Sequence, residues 1–163
     1  MEQILALLEK DCRLTPAQLA VMLGLKEEDV AAAIRKYEAE GVILGYNALI
    51  DWDKTNREYV SAVIELKVSP SRDHGFDRIA ERIYNYPEVK TVQLMSSSGY
   101  DLQLLIDGKT MKEVAYFVAN KLATLESVVS TATHFVLKKY KDKGVVYGTP
   151  ESDEREQAYY GLQ

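Results

Sequence analysis

Residues 15–43 read TPAQLAVMLGLKEEDVAAAIRKYEAEGVI. Thr15, Pro16 and Gln18 together are a helix start signal. A threonine hydroxyl caps the free amides, proline is preorganised for the first turn, and a glutamine three residues on closes a capping box. Leu19, Ala20 and Leu23 give this helix an inner face, and Gly24, free to take positive φ, stops it. After a tight connection, Val30, Ile34 and Tyr37 recur at i, i+4 and i+7, which predicts a further helix ending at Gly41. Upstream, Ile4, Leu5, Leu7 and Leu8 form the stripe of a first helix. Downstream, residues 42–46 read as a strand with a turn and Ala48, Leu49 and Ile50 as its return. Three short helices and a hairpin describe a winged helix-turn-helix over residues 1–50. A small helical bundle without a DNA role fits the same periodicity.

The middle of the third helix is unusual for a DNA reader. It opens on Glu27, Glu28 and Asp29 and carries Ala31, Ala32 and Ala33 where bases would be read. Residues 1–50 hold eight acidic and five basic side chains, a net of −3. Phosphate neutralisation supplies most non-specific affinity, so this segment has little to offer. Conversely, alanines let a helix sit deep in the major groove, and a methyl can meet a thymine methyl. The acidic run also suits a helix N-terminus through the macrodipole.

Residues 51–58, DWDKTNRE, are polar and aperiodic and read as a linker. Beyond it the period changes. Val60, Ala62, Ile64, Leu66 and Val68 alternate with Ser61, Val63, Glu65 and Lys67 and predict a strand that Pro70 ends. Phe76, Ile79, Ala80 and Ile83 have helical spacing. Strands follow at 89–95 and 100–106, joined by the turn Ser96-Ser97-Ser98-Gly99. Asp107-Gly108 is a turn; Met111, Val114, Ala115, Val118 and Leu122 give a second helix; residues 128–140 form the last strand. The order βαββαβ over 59–141 is ferredoxin-like, making the chain α+β. The uncovered sheet face would carry Ser61, Val63, Glu65, Gln93 and Gln103, a mixed surface suited to a second copy. Residues 142–163 read as an acidic tail, by default a flexible terminus, in which Val145, Val146, Tyr147, Tyr159 and Tyr160 are apolar enough to pack.

The totals narrow the class. The net charge of −5 over 163 residues confines any DNA role to a local patch. The single cysteine, Cys12, excludes an internal disulfide and a multi-cysteine zinc site, and reads as a reduced thiol. No stretch approaches the ~20 apolar residues of a membrane span, and no leader is evident, so a cytoplasmic location without membrane contact is expected. His134 reads as a sheet or interface residue, His74 as an exposed cap before a helix, and Trp52 as an anchor between domains. No nucleophile–base pair, phosphate loop or metal cluster appears, so neither an enzyme nor a cofactor is expected.

Four local signatures carry a resemblance. They are Leu19-Ala20 with Leu23-Gly24-Leu25; Val30, Ile34, Glu38 and Gly41-Val42-Ile43 with Tyr46; Ser98-Gly99-Tyr100-Asp101; and Val128 with Thr131-Ala132-Thr133, closed by Lys138. In this order, over about residues 1–141, the chain resembles the Lrp/AsnC (feast/famine) transcription regulators. The resemblance implies a winged helix-turn-helix joined to a ferredoxin-like (RAM-type) domain. It implies a dimer built on that domain, often assembled into octamers or larger rings. It also implies a small effector, usually an amino acid, bound near the dimer contacts. The DNA-contacting residues it points to are Thr15, Lys26, Ala31, Ala32, Arg35 and Lys36, with Lys54 and Arg57 as further phosphate contacts. The effector residues are Ser96, Ser98, Gly99, Tyr100, Asp101, Thr131 and Thr133. The family's Thr-Gly-x-Tyr-Asp pattern is here one residue shorter. In physical terms Gly99 permits backbone approach, turn amides receive a carboxylate, and Asp101 pairs an ammonium. The plainer alternative is a hairpin loop in which Asp101 only caps a turn. The alternative function is a regulator whose head has lost DNA reading. It would act through a protein partner or another ligand, haem included, with His134 or His74 as the evident axial groups.

Overall fold

A computed structural model describes residues 2–70 and 75–148. The readings of His74, Tyr159 and Tyr160 fall outside the described residues. The chain divides between Ile50 and Asp51 into two compact units.

The head has three helices, α1 (Glu2–Lys10), α2 (Pro16–Leu23) and α3 (Glu27–Ala39). The capping box forms as the sequence requires. The Gln18 amide donates to Thr15 Oγ1 at 3.2 Å, and the Thr15 amide donates to Gln18 Oε1 at 2.9 Å. Gly24 takes the left-handed conformation, φ 66°, and its amide closes on the Ala20 carbonyl. The core is Ile4, Leu8, Leu19, Ala20, Val30 and Ala33, flanked by Leu7, Leu14, Leu23, Ile34, Tyr37 and Ile43. Ala33 therefore belongs to the packing side of α3, not to the side that would face DNA. The expected hairpin is not formed: residues 44–50 carry no strand. Leu44 is 93% exposed, and a lone two-stranded hairpin is marginal in water. Instead the Tyr37 carbonyl accepts from the Val42 and Ile43 amides, at 2.8 and 3.1 Å, and turns the chain back over the helix end.

The second unit opens with a 3-10 turn, Trp52–Lys54, followed by β1 (Val60–Val68), α4 (Asp77–Tyr84), β2 (Val89–Leu94), β3 (Leu102–Gly108), α5 (Met111–Phe117) and β4 (Val128–Phe135). The sheet is antiparallel in the order β2-β3-β1-β4. This is the ferredoxin-like arrangement. Ala62, Ile64, Leu66 and Val68 of β1 and Leu102, Leu104 and Ile106 of β3 are buried beneath Ile79 and Ile83 of α4 and Val114 and Phe117 of α5. Alternation in sequence becomes two faces because successive strand side chains point opposite ways.

Three details depart from the expected pattern. Asp107 and Gly108 lie within β3 rather than in a turn. After α5 the chain makes a π-helical turn, Val118–Leu122. Val114, Phe117, Val118, Leu122 and Leu125 are buried, whereas Met111 and Ala115, expected on the inner face, are exposed. The last strand stops at Phe135, and a separate hairpin follows, β5 (Lys141–Asp142) with β6 (Val145–Val146). The start of the expected tail is thus ordered, with Val145 and Val146 exposed on it.

Candidate functional site

In the head, Val30 and Ala33 turn α3 inward. Glu28, Ala32 and Arg35 recur at i, i+4 and i+7 on the opposite side, and all three are exposed. A shallow groove along this half of the helix is lined by Lys26, Glu27, Glu28, Ala31 and Arg35. Lys26 caps the helix through its backbone alone. Its ammonium and the Arg35 guanidinium make no ion pair among the described residues, whereas Lys36 lies 3.8 Å from Glu40. The Thr15 hydroxyl is spent on the α2 cap. Five of the six expected DNA residues therefore gather around α3, and Thr15 supports them from the neighbouring helix. Tyr46 donates to Glu38 Oε1 at 3.0 Å, tying the segment after α3 back to that helix. Burial, then the Glu38 carboxylate, pushes the Tyr46 hydroxyl above its usual range.

The expected effector residues are not brought together in one chain. The loop between β2 and β3 is closed by the Met95 amide on the Asp101 carbonyl at 2.8 Å. Asp101 accepts from the Val68 amide at 2.8 Å and from Lys67 Nζ at 3.2 Å, and its own amide donates to the Leu66 carbonyl at 2.9 Å. The Val68 amide foremost, then Lys67, holds this carboxyl below the usual range. Asp101 therefore ties β3 to the end of β1. Both its oxygens already have partners, which corrects the expectation of a carboxylate waiting for an ammonium. The Gly99 amide donates to Ser97 Oγ at 3.2 Å, so it too is satisfied within the loop. Gly99 does not have positive φ, and a Cβ there would meet only Ser97 Oγ at 4.0 Å. Ser96 and Ser98 are exposed and Tyr100 is half-buried. Thr131 and Thr133 pair with Leu66 and Ile64, so they point to the helix-covered face, while Asp101 lies with Lys67 on the other.

The open sheet face carries Gln93, Gln103, Glu65 and Ala132 in one cross-strand row. Ser61 shares this face, as expected, but is buried on it. Its Oγ lies 2.7 Å from both Asp107 Oδ1 and Tyr59 Oη, and Tyr59 Oη donates to Asp107 at 3.1 Å. Sequence reading missed this cluster because its partners lie 46 and 48 residues apart. His134 Nε2 sits 3.4 Å from Glu65 Oε2 on the open face. No group of three metal-ligating side chains occurs among the described residues. The Trp52 ring is covered by the Arg57 guanidinium at 4.2 Å, a contact within its own segment. No helix among the described residues is long and apolar enough to cross a membrane.

Comparison with known proteins agrees with this fold. Residues 2–43 match a family described as winged helix-turn-helix DNA-binding, and residues 61–146 match the Lrp/AsnC ligand binding domain. The chain is 48% identical, over 94% of its length and 92% of the relative's, to YugG of Bacillus subtilis (strain 168), an uncharacterized HTH-type transcriptional regulator. Among solved structures it is similar to a transcriptional regulator from Neisseria meningitidis in complex with L-Met. That match has a TM-score of 0.69 and 23% identity, covering 91% of this chain and 93% of that one. It is also similar to the feast or famine regulatory protein from M. tuberculosis complexed with L-methionine. There the TM-score is 0.69 and the identity 22%, covering 85% and 90% of the two chains.

Proposed function

The chain belongs to the Lrp/AsnC family of DNA-binding transcription regulators, and on that premise we propose that an amino-acid effector tunes its DNA affinity or its assembly. The observation that carries the reading is the pairing, in one chain, of a helix-turn-helix with an Lrp/AsnC ligand-binding domain whose structural neighbours were crystallised with L-methionine. The head engages DNA through the outer side of α3. Lys26, Arg35 and Lys36 meet phosphates, while Ala31 and Ala32 allow close approach to base edges, and Thr15 sustains the cap that positions the pair of helices. With few cations per head, binding depends on several heads acting together, so a dimer or larger assembly multiplies weak contacts. The effector lies at the loop of Ser96, Ser98, Gly99 and Tyr100, whose base Asp101 fastens to β1. Thr131 and Thr133 would come from a second copy. A ligand shared by two copies favours one assembly over another, and that difference is the coupling between sites.

The test is a titration of the full chain onto DNA upstream of its own gene, at low and moderate salt, with and without a pool of the twenty amino acids. Affinity should fall with salt and shift by about 5-fold or more with the pool. Gly99→Ala, for which the loop has room, should keep DNA binding and lose the shift. No binding at the lowest salt by a folded, oligomeric protein would sink the proposal.

A further inference from the structure

The head has a net charge of −3 in residues 1–50, yet the chain contains a concentrated run of positive charge elsewhere. Residues 138–143, KKYKDK, hold four lysines and one aspartate. The structure sets Lys141 and Lys143 on the β5–β6 hairpin, with Lys138 and Lys139 in the segment that leads into it. Lys141 pairs with Val146 and Asp142 with Val145, and the Tyr147 amide extends the ladder to the Tyr140 carbonyl at 2.9 Å. The two turn residues, Lys143 and Gly144, have φ of 46° and 83°. Two consecutive positive φ values are what a type I′ hairpin demands, and its first position favours Asn, Asp or Gly. Lys143 is the only non-glycine residue with positive φ among those described. A β-carbon there costs roughly 1 kcal/mol, so the tip carries a lysine against its backbone preference.

The other lysines are arranged by their neighbours. Lys138 lies over the Tyr140 ring at 4.7 Å. Lys139 pairs with Asp142 at 3.2 Å and lies over the Tyr147 ring at 5.4 Å. Lys141 and Lys143 are exposed and make no ion pair among the described residues. The one carboxylate on the hairpin is thus taken by Lys139, which leaves Lys141 and Lys143 without a carboxylate partner among the described residues.

We propose that this lysine hairpin is a second DNA contact, one that binds the phosphate backbone of the duplex whose bases the head reads. The inference rests on the DNA-binding reading above and deepens it. Duplex DNA presents one charge per ~1.7 Å of axis, and lysine ammoniums on flexible stems neutralise it as point charges without selecting bases. The hairpin therefore supplies sequence-independent affinity that the acidic head lacks, and the division of labour is affinity from the second unit and register from α3.

The test uses the full chain carrying Lys141→Gln and Lys143→Gln. Both side chains are exposed and unpaired, so the fold should be unchanged by circular dichroism. Binding to the cognate duplex and to a scrambled duplex is followed by fluorescence anisotropy across a salt series. The slope of log K against log salt should fall by about 0.9 for each lysine lost, and both duplexes should bind on the order of 10- to 100-fold more weakly at 0.1 M salt. Lys141→Arg with Lys143→Arg should restore the wild-type slope. An unchanged slope and affinity, in a wild-type background that does bind, overturns the hairpin contact alone. A wild-type chain that binds no duplex at the lowest salt removes this proposal and the DNA reading together. Loss of binding to phosphatidylserine-containing vesicles, with the DNA slope intact, would give the patch to a membrane surface and overturn the proposal as well. Ala31→Leu with Ala32→Leu separates the two contacts: crowding the side of α3 that approaches the base edges, it should erase the preference for the cognate duplex and leave the hairpin's share of the slope in place.

Discussion

The two units solve the same problem with different means. The head packs a core in which two of the six buried residues are alanines, and its working side chains, Lys26 and Arg35, make no ion pair among the described residues. The second unit packs a larger core of branched and aromatic residues, and the side chain first suspected of chemistry, Asp101, is spent on holding strands together. A helix has an outer side with nothing to hold, so its residues remain available. A hairpin loop must close itself, so its polar groups are consumed by closure. Residue type alone does not separate the two cases: availability is set by what else needs the group.

The contrast can be broken most severely at Ala33. Placing a charge in so small a core leaves it buried without a partner, so Ala33→Arg should destabilise the head by roughly 3 kcal/mol or more. Urea unfolding followed by circular dichroism would measure it, and DNA binding should be lost at the same time. A folded head that gained DNA affinity would mean that position 33 faces outward after all.

Asp101 tests the other unit. Its carboxyl is held below its usual range by the Val68 amide and Lys67. A lowered folded-state pKa stabilises the fold at pH values above the unfolded pKa of about 4. That contribution is lost as pH falls through the folded value. Asp101→Asn should therefore lower the melting temperature by a few degrees at pH 7, and the gap to wild type should narrow at pH 3. A gap that is the same at both pH values would show that the amide and ammonium contacts contribute nothing through charge. The smallest of the three effects is at Thr15. Loss of its hydroxyl in Thr15→Ala should cost about 1 kcal/mol through the N-cap. Thermal melts would detect that loss, and DNA affinity should fall no further than the loss of folded head explains.

Much of this protein is written locally. Thr15, Pro16, Gln18 and Gly24 specify a helix with both ends, because caps involve only neighbours within four residues. The alternation from Val60 to Val68 specifies a strand with one buried face, because side-chain direction has period 2. The family signatures lie in such segments, and so the architecture and its class were legible. What was not legible depends on contacts distant along the chain or on a balance too fine for pattern. Phe117 is buried in the core and Ala115 is exposed, a choice set by how α5 packs on the sheet. The Ser61–Tyr59–Asp107 cluster joins β1 to β3 across 46 residues. Thr131 and Thr133 share a short motif with nothing in the text to say that register would turn them away from Asp101. Sequence by itself determined the elements, their order and the chain's chemical class, since those follow from short-range sterics and periodic burial. Tertiary structure alone decided which polar groups are free to act, since a hydrogen bond to a distant strand satisfies a carboxylate as fully as any ligand would.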